Sequence, residues 1–184
     1  MPIQTPICDF GQKAIPFQLK STDNKILSLK DIKGENGTLI MFICNHCPYV
    51  KAVTKEIVED CNELKKIGIN SVAICSNDAI NYPDDSFDNM VKFSKDNQFS
   101  FPYLQDETQE IAKAYDAVCT PDFFGYDKDL GLQYRGRLRE LKNFVPVKDG
   151  ESDLLKAMRQ IADTGNGPKD QIPSAGCGIK WKFD

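Results

Sequence analysis

The chain has 184 residues, of which 41% are hydrophobic and 27% charged, and its net charge is −4. That length suits one domain with a sizeable core, and the composition is that of a globular protein. The acidic balance excludes nonspecific binding to nucleic acid or to an anionic membrane as the main task. Residues 1–6 have neither the basic start nor the apolar stretch of a secretory signal, and no run is long enough to span a bilayer, so the cytoplasm is the expected location. In chain order, residues 15–19 and 25–29 alternate like a hairpin around Thr22-Asp23-Asn24. The apolar run from Leu39 to Cys44 predicts a buried strand. Val50, Val53, Ile57, Cys61, Leu64 and Ile67 fall on one face of a helix over residues 48–67, which Gly68 ends. Residues 69–75 predict the neighbouring parallel strand. A helix over 86–96 carries Phe87, Met90, Val91 and Phe93, and a short strand covers 101–104. Thr108 is placed to cap a helix that ends near Tyr115. Residues 121–126 and 132–136 read as a second hairpin, and 153–162 as the last helix. One domain over 1–184 is expected, with a core at about 14–163 and a tail, 164–184, docked on the body through its apolar end and the single Trp.

Two cysteines bracket the turn between the first buried strand and the first long helix, in Cys44-Asn45-His46-Cys47-Pro48-Tyr49-Val50. Cys47 falls at the helix start, where unpaired backbone N–H groups and the helix dipole favour an anion. A thiol there tends toward thiolate, which is the reactive species. Cys47 is therefore the expected nucleophile. There are seven cysteines in all, an odd number at irregular spacing, which speaks against a disulfide framework and for reduced thiols with a reactive subset.

The order of strand, Cys-containing turn, helix, strand, helix and a Thr-Pro step into a hairpin resembles the thioredoxin fold. That resemblance implies an α/β architecture: a central mixed sheet flanked by helices, with the N-terminal hairpin as an extension. It also implies that Pro121, preceded by Thr120, is cis and faces the active-site turn. Within this fold the chain is similar to peroxiredoxin-like redoxins of the AhpC/TSA type. The residues that carry the likeness are the Cys44–Val50 motif, Cys119-Thr120-Pro121-Asp122-Phe123-Phe124 and Gly176-Cys177-Gly178-Ile179-Lys180-Trp181-Lys182. Set against the thioredoxin motif, Cys47 takes the place of the nucleophile and Val50 that of the second cysteine. Set against peroxiredoxins, Cys44 stands where a Thr or Ser is usual and Ile40 where a Pro is usual. The likeness implies thiol oxidoreductase and antioxidant chemistry, a protein disulfide or small peroxide as substrate, an external thiol reductant and no organic cofactor. These departures tilt the expectation toward disulfide exchange.

Cys44 is the first choice to resolve Cys47, provided the turn brings the two Cα atoms within about 7 Å. Cys119, two residues before Pro121, either resolves Cys47, forms a mixed disulfide, or is a small loop residue. Cys177, between two glycines, is either a resolving cysteine on a mobile tail or has no role. Cys61 and Cys75 read as core. His46, the only histidine, either supports the Cys47 thiolate and protonates a leaving thiol, or is a solvent-facing turn residue. Arg135 stands where the family likeness implies an Arg near the thiolate, with a solvated strand residue as the alternative. Tyr49 and the Asp122-Phe123-Phe124 segment are placed to floor an apolar site beside Cys47. Two other classes compete with redox chemistry. One is metal binding through Cys44, His46, Cys47 and either Cys119 or Cys177, although the spacing lacks the second half of a structural zinc site. The other is a redox-inactive binding module on the same fold. The oligomeric state stays open.

Overall fold

A computed structural model describes residues 1–183. In chain order the elements are β1 (Ile3–Gln4), β2 (Gln18–Ser21), β3 (Ile26–Ser28), α1 (Leu29–Ile32), β4 (Gly37–Phe42), α2 (Pro48–Lys66) and β5 (Ile69–Cys75). A 3-10 turn (Pro83–Asp85), α3 (Phe87–Asp96), β6 (Tyr103–Gln105), α4 (Glu110–Ala114), β7 (Cys119–Thr120), β8 (Asp122–Tyr126) and β9 (Leu132–Tyr134) follow. The chain closes with β10 (Leu141–Lys142), β11 (Val145–Pro146), α5 (Asp153–Thr164) and β12 (Ala175–Gly178).

The main sheet has seven strands in the order β3-β2-β6-β5-β4-β8-β9. β4, β5 and β6 run parallel, and β8 runs antiparallel to β4 with Ile40 opposite Phe124. The N-terminal hairpin extends the sheet because β2 pairs with β6. β4 is buried along its whole length, so it reads as a continuous apolar run and its side chains divide between two layers at period two. Leu39, Met41 and Ile43 pack with Val53, Ile57 and Leu64 of α2, Met90 of α3 and Met158 of α5. Ile40 and Phe42 pack on the other face with Leu29 and Ile32 of α1, Ala112 of α4, Tyr115 and Phe124.

Several boundaries differ from the expected ones for physical reasons. Thr108 accepts the Glu110 N–H at the start of α4 at 3.4 Å, but the N-cap position itself is Gln109. The Asp106 carboxylate takes the N–H groups of Ile111 and Ala112 at 3.3 and 2.9 Å, and Gln109 enters the helix with φ +67. The strand expected over 101–104 begins at Tyr103. α5 runs on to Thr164, where Gly165 ends it in the left-handed conformation at φ +79. β10 and β11 form a hairpin of two-residue strands that alternation over so few positions does not signal.

After α5 the chain forms one more strand, paired with distant segments by a route the sequence did not indicate. β12 lies between β1 and β7 in a second sheet, with Cys177 opposite Thr120 and Gly178 opposite Cys119. Gly176 has to be glycine for this approach, since a Cβ there would collide with the Thr120 carbonyl. Ile179 is buried in the second core layer, whereas Trp181 is 38% exposed, with the Lys113 ammonium 5.8 Å from its ring centroid. The Thr120-Pro121 peptide bond is cis.

Candidate active site

β4 ends at Phe42, and Ile43 N–H still reaches Ile74 O at 3.0 Å. The chain then turns through Cys44, Asn45 and His46 into α2. Cys47 is the N-cap and Pro48, which has no N–H to lose, opens the helix. Side chains from distant segments fix this turn. Asp85 Oδ1 accepts the Asn45 N–H at 2.8 Å, the Asn45 amide donates to Asp84 O at 3.1 Å, and Tyr103 donates to Asn45 Oδ1 at 2.8 Å.

Cys47 has no exposed surface. Its sulfur lies 3.3 Å from Thr120 O, on the cis-Pro segment. The Cys44 sulfur is 3.5 Å from Thr120 Oγ1. The Cys44 thiol is the foremost reason that Cys47 is pushed down to about 4; the Cys177 thiol and the backbone N–H groups of Val50 and Cys177 add to it, all against the cost of burial. Cys44 moves the other way, far above the ordinary thiol range, because its proton is held on Cys47 and because burial and the Asp85 charge oppose its ionisation. The two thiols are tightly coupled, with Cys47 shifted toward the thiolate and Cys44 away from it. Burial, with Cys47 beside it, raises Cys177 to about 11.

The remaining expected residues are distributed differently. His46 does not support the Cys47 thiolate. Its Nδ1 lies 2.7 Å from Asp85 Oδ2 and its ring stacks on Tyr82, so the imidazole is turned to the 3-10 turn. Arg135 does not hold the thiolate either. Its guanidinium binds both Asp122 oxygens, at 2.9 and 3.3 Å, reaches Asp116 O at 2.8 Å and covers the Phe124 ring. The desolvated Asp122 carboxylate beside it demands a cation, and burial holds that carboxyl above its usual range even so. Cys119 is buried with its sulfur toward Pro121 O at 3.6 Å, and burial raises its thiol. Tyr49 and Phe123 line a groove with Pro121, Leu138 and Arg137, whereas Phe124 belongs to the opposite core layer.

Among the described residues, Cys44, His46 and Asp85 bring a sulfur, a nitrogen and an oxygen within 4.8 Å of one another. Two ligands of one tetrahedral ion sit roughly 3.3 Å apart. The nitrogen and oxygen here are at 2.7 Å, closer than two ligands of one ion would sit. Cys47, Cys119 and Cys177, the other ligands weighed from the sequence, do not join this group. Asp85 is the site residue the sequence did not reveal. It follows Tyr82-Pro83-Asp84 in a loop, and no local pattern ties that loop to the Cys44 turn.

The profile of the AhpC/TSA family matches residues 10–137. Two solved structures resemble the chain over its full length. An uncharacterized conserved protein from Geobacillus kaustophilus is 43% identical, with a TM-score of 0.90, over 100% of this chain and 98% of that one. A hypothetical protein from Sinorhizobium meliloti 1021 is 31% identical, with a TM-score of 0.91, over 100% of both chains. The thioredoxin domain of a thiol-disulfide oxidoreductase from Bacteroides vulgatus, at 15% identity and a TM-score of 0.58, covers 73% of this chain and 89% of that one. No curated protein matches the chain. The fold is thioredoxin-like.

Proposed function

The chain belongs to the AhpC/TSA family, and we propose that it works as a thiol oxidoreductase in which Cys47 attacks and Cys44 resolves. The observation that carries this reading is the place of Cys47: it is the N-cap of α2, with its sulfur 3.3 Å from Thr120 O on the cis-Pro segment, where the helix start favours a thiolate. With a disulfide, the Cys47 thiolate forms a bond to one sulfur and the other leaves as a thiolate. Cys44 then forms its bond to Cys47, breaks the mixed disulfide and releases the second thiol. With a peroxide, Cys47 takes one oxygen to become a sulfenic acid and an alcohol or water leaves. Cys44 then closes the disulfide and expels water. An external dithiol reduces the pair, so the cycle fits a reducing compartment such as the cytoplasm. No helix among the described residues is long and apolar enough to cross a membrane.

Cys44 where peroxiredoxins keep a hydroxyl, and Ile40 where they keep a proline, favour a disulfide over a peroxide as the natural substrate. The reduced protein treated with equimolar hydrogen peroxide at neutral pH, quenched by alkylation and mapped by mass spectrometry, tests this. Slow or no change at Cys47 with peroxide, but a Cys44–Cys47 disulfide with an added protein disulfide, is the expected result. Fast oxidation by peroxide makes the protein a peroxidase. Inertness to both electrophiles overturns the redox reading.

A further inference from the structure

Cys44 has to lose its proton before it can attack, and its surroundings resist that loss. In the resting pair its hydrogen bond to Cys47, its burial and the nearby Asp85 charge keep the proton in place, and once Cys47 has reacted burial and the Asp85 charge still do. The Cys47 thiolate cannot serve as the base, because the first step consumes it. A separate acceptor is needed, and the Cys44, His46 and Asp85 cluster supplies one within 4.8 Å.

The cluster is built as a buried base with an outlet. The Asp85 side chain has no exposed surface, and that of His46 is 27% exposed. Asp85 is held in place by the Asn45 N–H and by the Asn77 amide, each at 2.8 Å. His46 Nδ1 is buried 2.7 Å from Asp85 Oδ2, so the imidazole and the carboxylate are in direct contact. Tyr82 lies parallel to the imidazole, with 6.4 Å between centroids. An imidazole can both take up and release a proton near neutral pH.

We propose that the Asp85–His46 pair accepts the Cys44 proton as Cys44 attacks the intermediate on Cys47, and passes it to solvent from the exposed edge of the imidazole. This rests on the reading of Cys47 and Cys44 given above. The bond formed joins the two cysteine sulfurs, and the bond broken is that between Cys47 and the substrate sulfur. The electron pair leaves on the substrate thiolate. The proton moves to the pair, which returns to its first state on releasing it to solvent. One side-chain rotation at Cys44, or a single bridging water, closes the remaining gap.

The test uses an aromatic disulfide whose two thiolates are coloured and are released one at a time. Cys47 attack gives the first burst of colour and Cys44 closure the second. His46→Gln and Asp85→Asn are expected to lower the ratio of the second rate to the first by at least about tenfold, the low end of what a positioned base contributes. Free imidazole is expected to restore the second phase in His46→Gln, a recovery that a purely structural tie between the turn and the loop does not give. An unchanged ratio in His46→Gln, or equal slowing of both phases without rescue, overturns the relay even if Asp85→Asn does not fold. A wild-type protein with no first phase overturns the Cys47 reading and the relay with it. A wild-type first phase with unchanged variant ratios overturns the relay alone.

Discussion

A thiolate without exposed surface is costly unless hydrogen-bond donors replace the water it has lost. Cys47 has such donors in the Cys44 and Cys177 thiols and in two backbone N–H groups, one from α2 and one from β12. Cys44→Ala removes the foremost donor and Cys177→Ala a lesser one, so both should raise the Cys47 pKa, Cys44→Ala by more. The pH dependence of Cys47 alkylation reads this directly, and a larger shift in Cys177→Ala would reverse the assigned order. Arg135 belongs to a different account. It neutralises Asp122 at a position where both side chains are buried. Arg135→Met leaves that carboxylate unpaired and should cost about 3–5 kcal/mol in denaturant unfolding. The Cys47 alkylation profile should stay where it is, because the guanidinium is committed to Asp122 and Asp116. A shift in that profile would return Arg135 to the thiolate. The family likeness drew attention to this arginine because a cation after the cis-Pro hairpin is the expected pattern. The pairing with Asp122 depends on which way two strand side chains point, and that is decided by packing rather than by spacing.

β12 completes the site as an element. It lies beside β7, brings the Cys177 amide to Cys47, and hides the nucleophile. The two glycines around Cys177 are visible in the sequence and allow both close approach and swing; in the structure Gly176 serves close approach to β7. A side chain at Gly176 would strike the Thr120 carbonyl, so Gly176→Ala should push β12 off the cis-Pro segment. The expected outcome is faster alkylation of Cys47 near neutral pH, together with a higher Cys47 pKa from the lost donors. Unchanged alkylation would mean that β12 is not the cover. The long elements were legible because α2 repeats its apolar residues at helical spacing and β4 is apolar throughout. β1, β7 and β12 were not, since each is held by pairing with distant chain and carries too few residues to show a period.

At the scale of the whole molecule, the order of strands and helices follows from the sequence, because each strand of the parallel centre must be buried on both faces and each helix must cover one. What did not follow is the meeting of Cys44, His46 and Asp85, which depends on how the loop after β5 folds over the turn before α2. The same charge distribution acts on global stability. In the folded state Cys47 is ionised above about 4, while Cys44 keeps its proton. In the unfolded chain both thiols stay protonated up to their ordinary range near about 8.5. Between these limits the unfolded state binds more protons, so the pair's contribution grows as pH rises and is lost as pH falls through about 4. Above the ordinary thiol range the unfolded chain releases both protons and the contribution falls again. Asp60 opposes this at low pH. Burial raises it to about 6, so the folded state binds more protons there and stability drops as pH rises through that value. Comparison of wild type with Cys47→Ser cancels Asp60, which both share. Urea unfolding of the reduced proteins should then show a wild-type advantage that is larger at about pH 8 than at about pH 5. A difference that does not change with pH would place the charge somewhere other than Cys47, and the nucleophile would have to be sought among the other thiols.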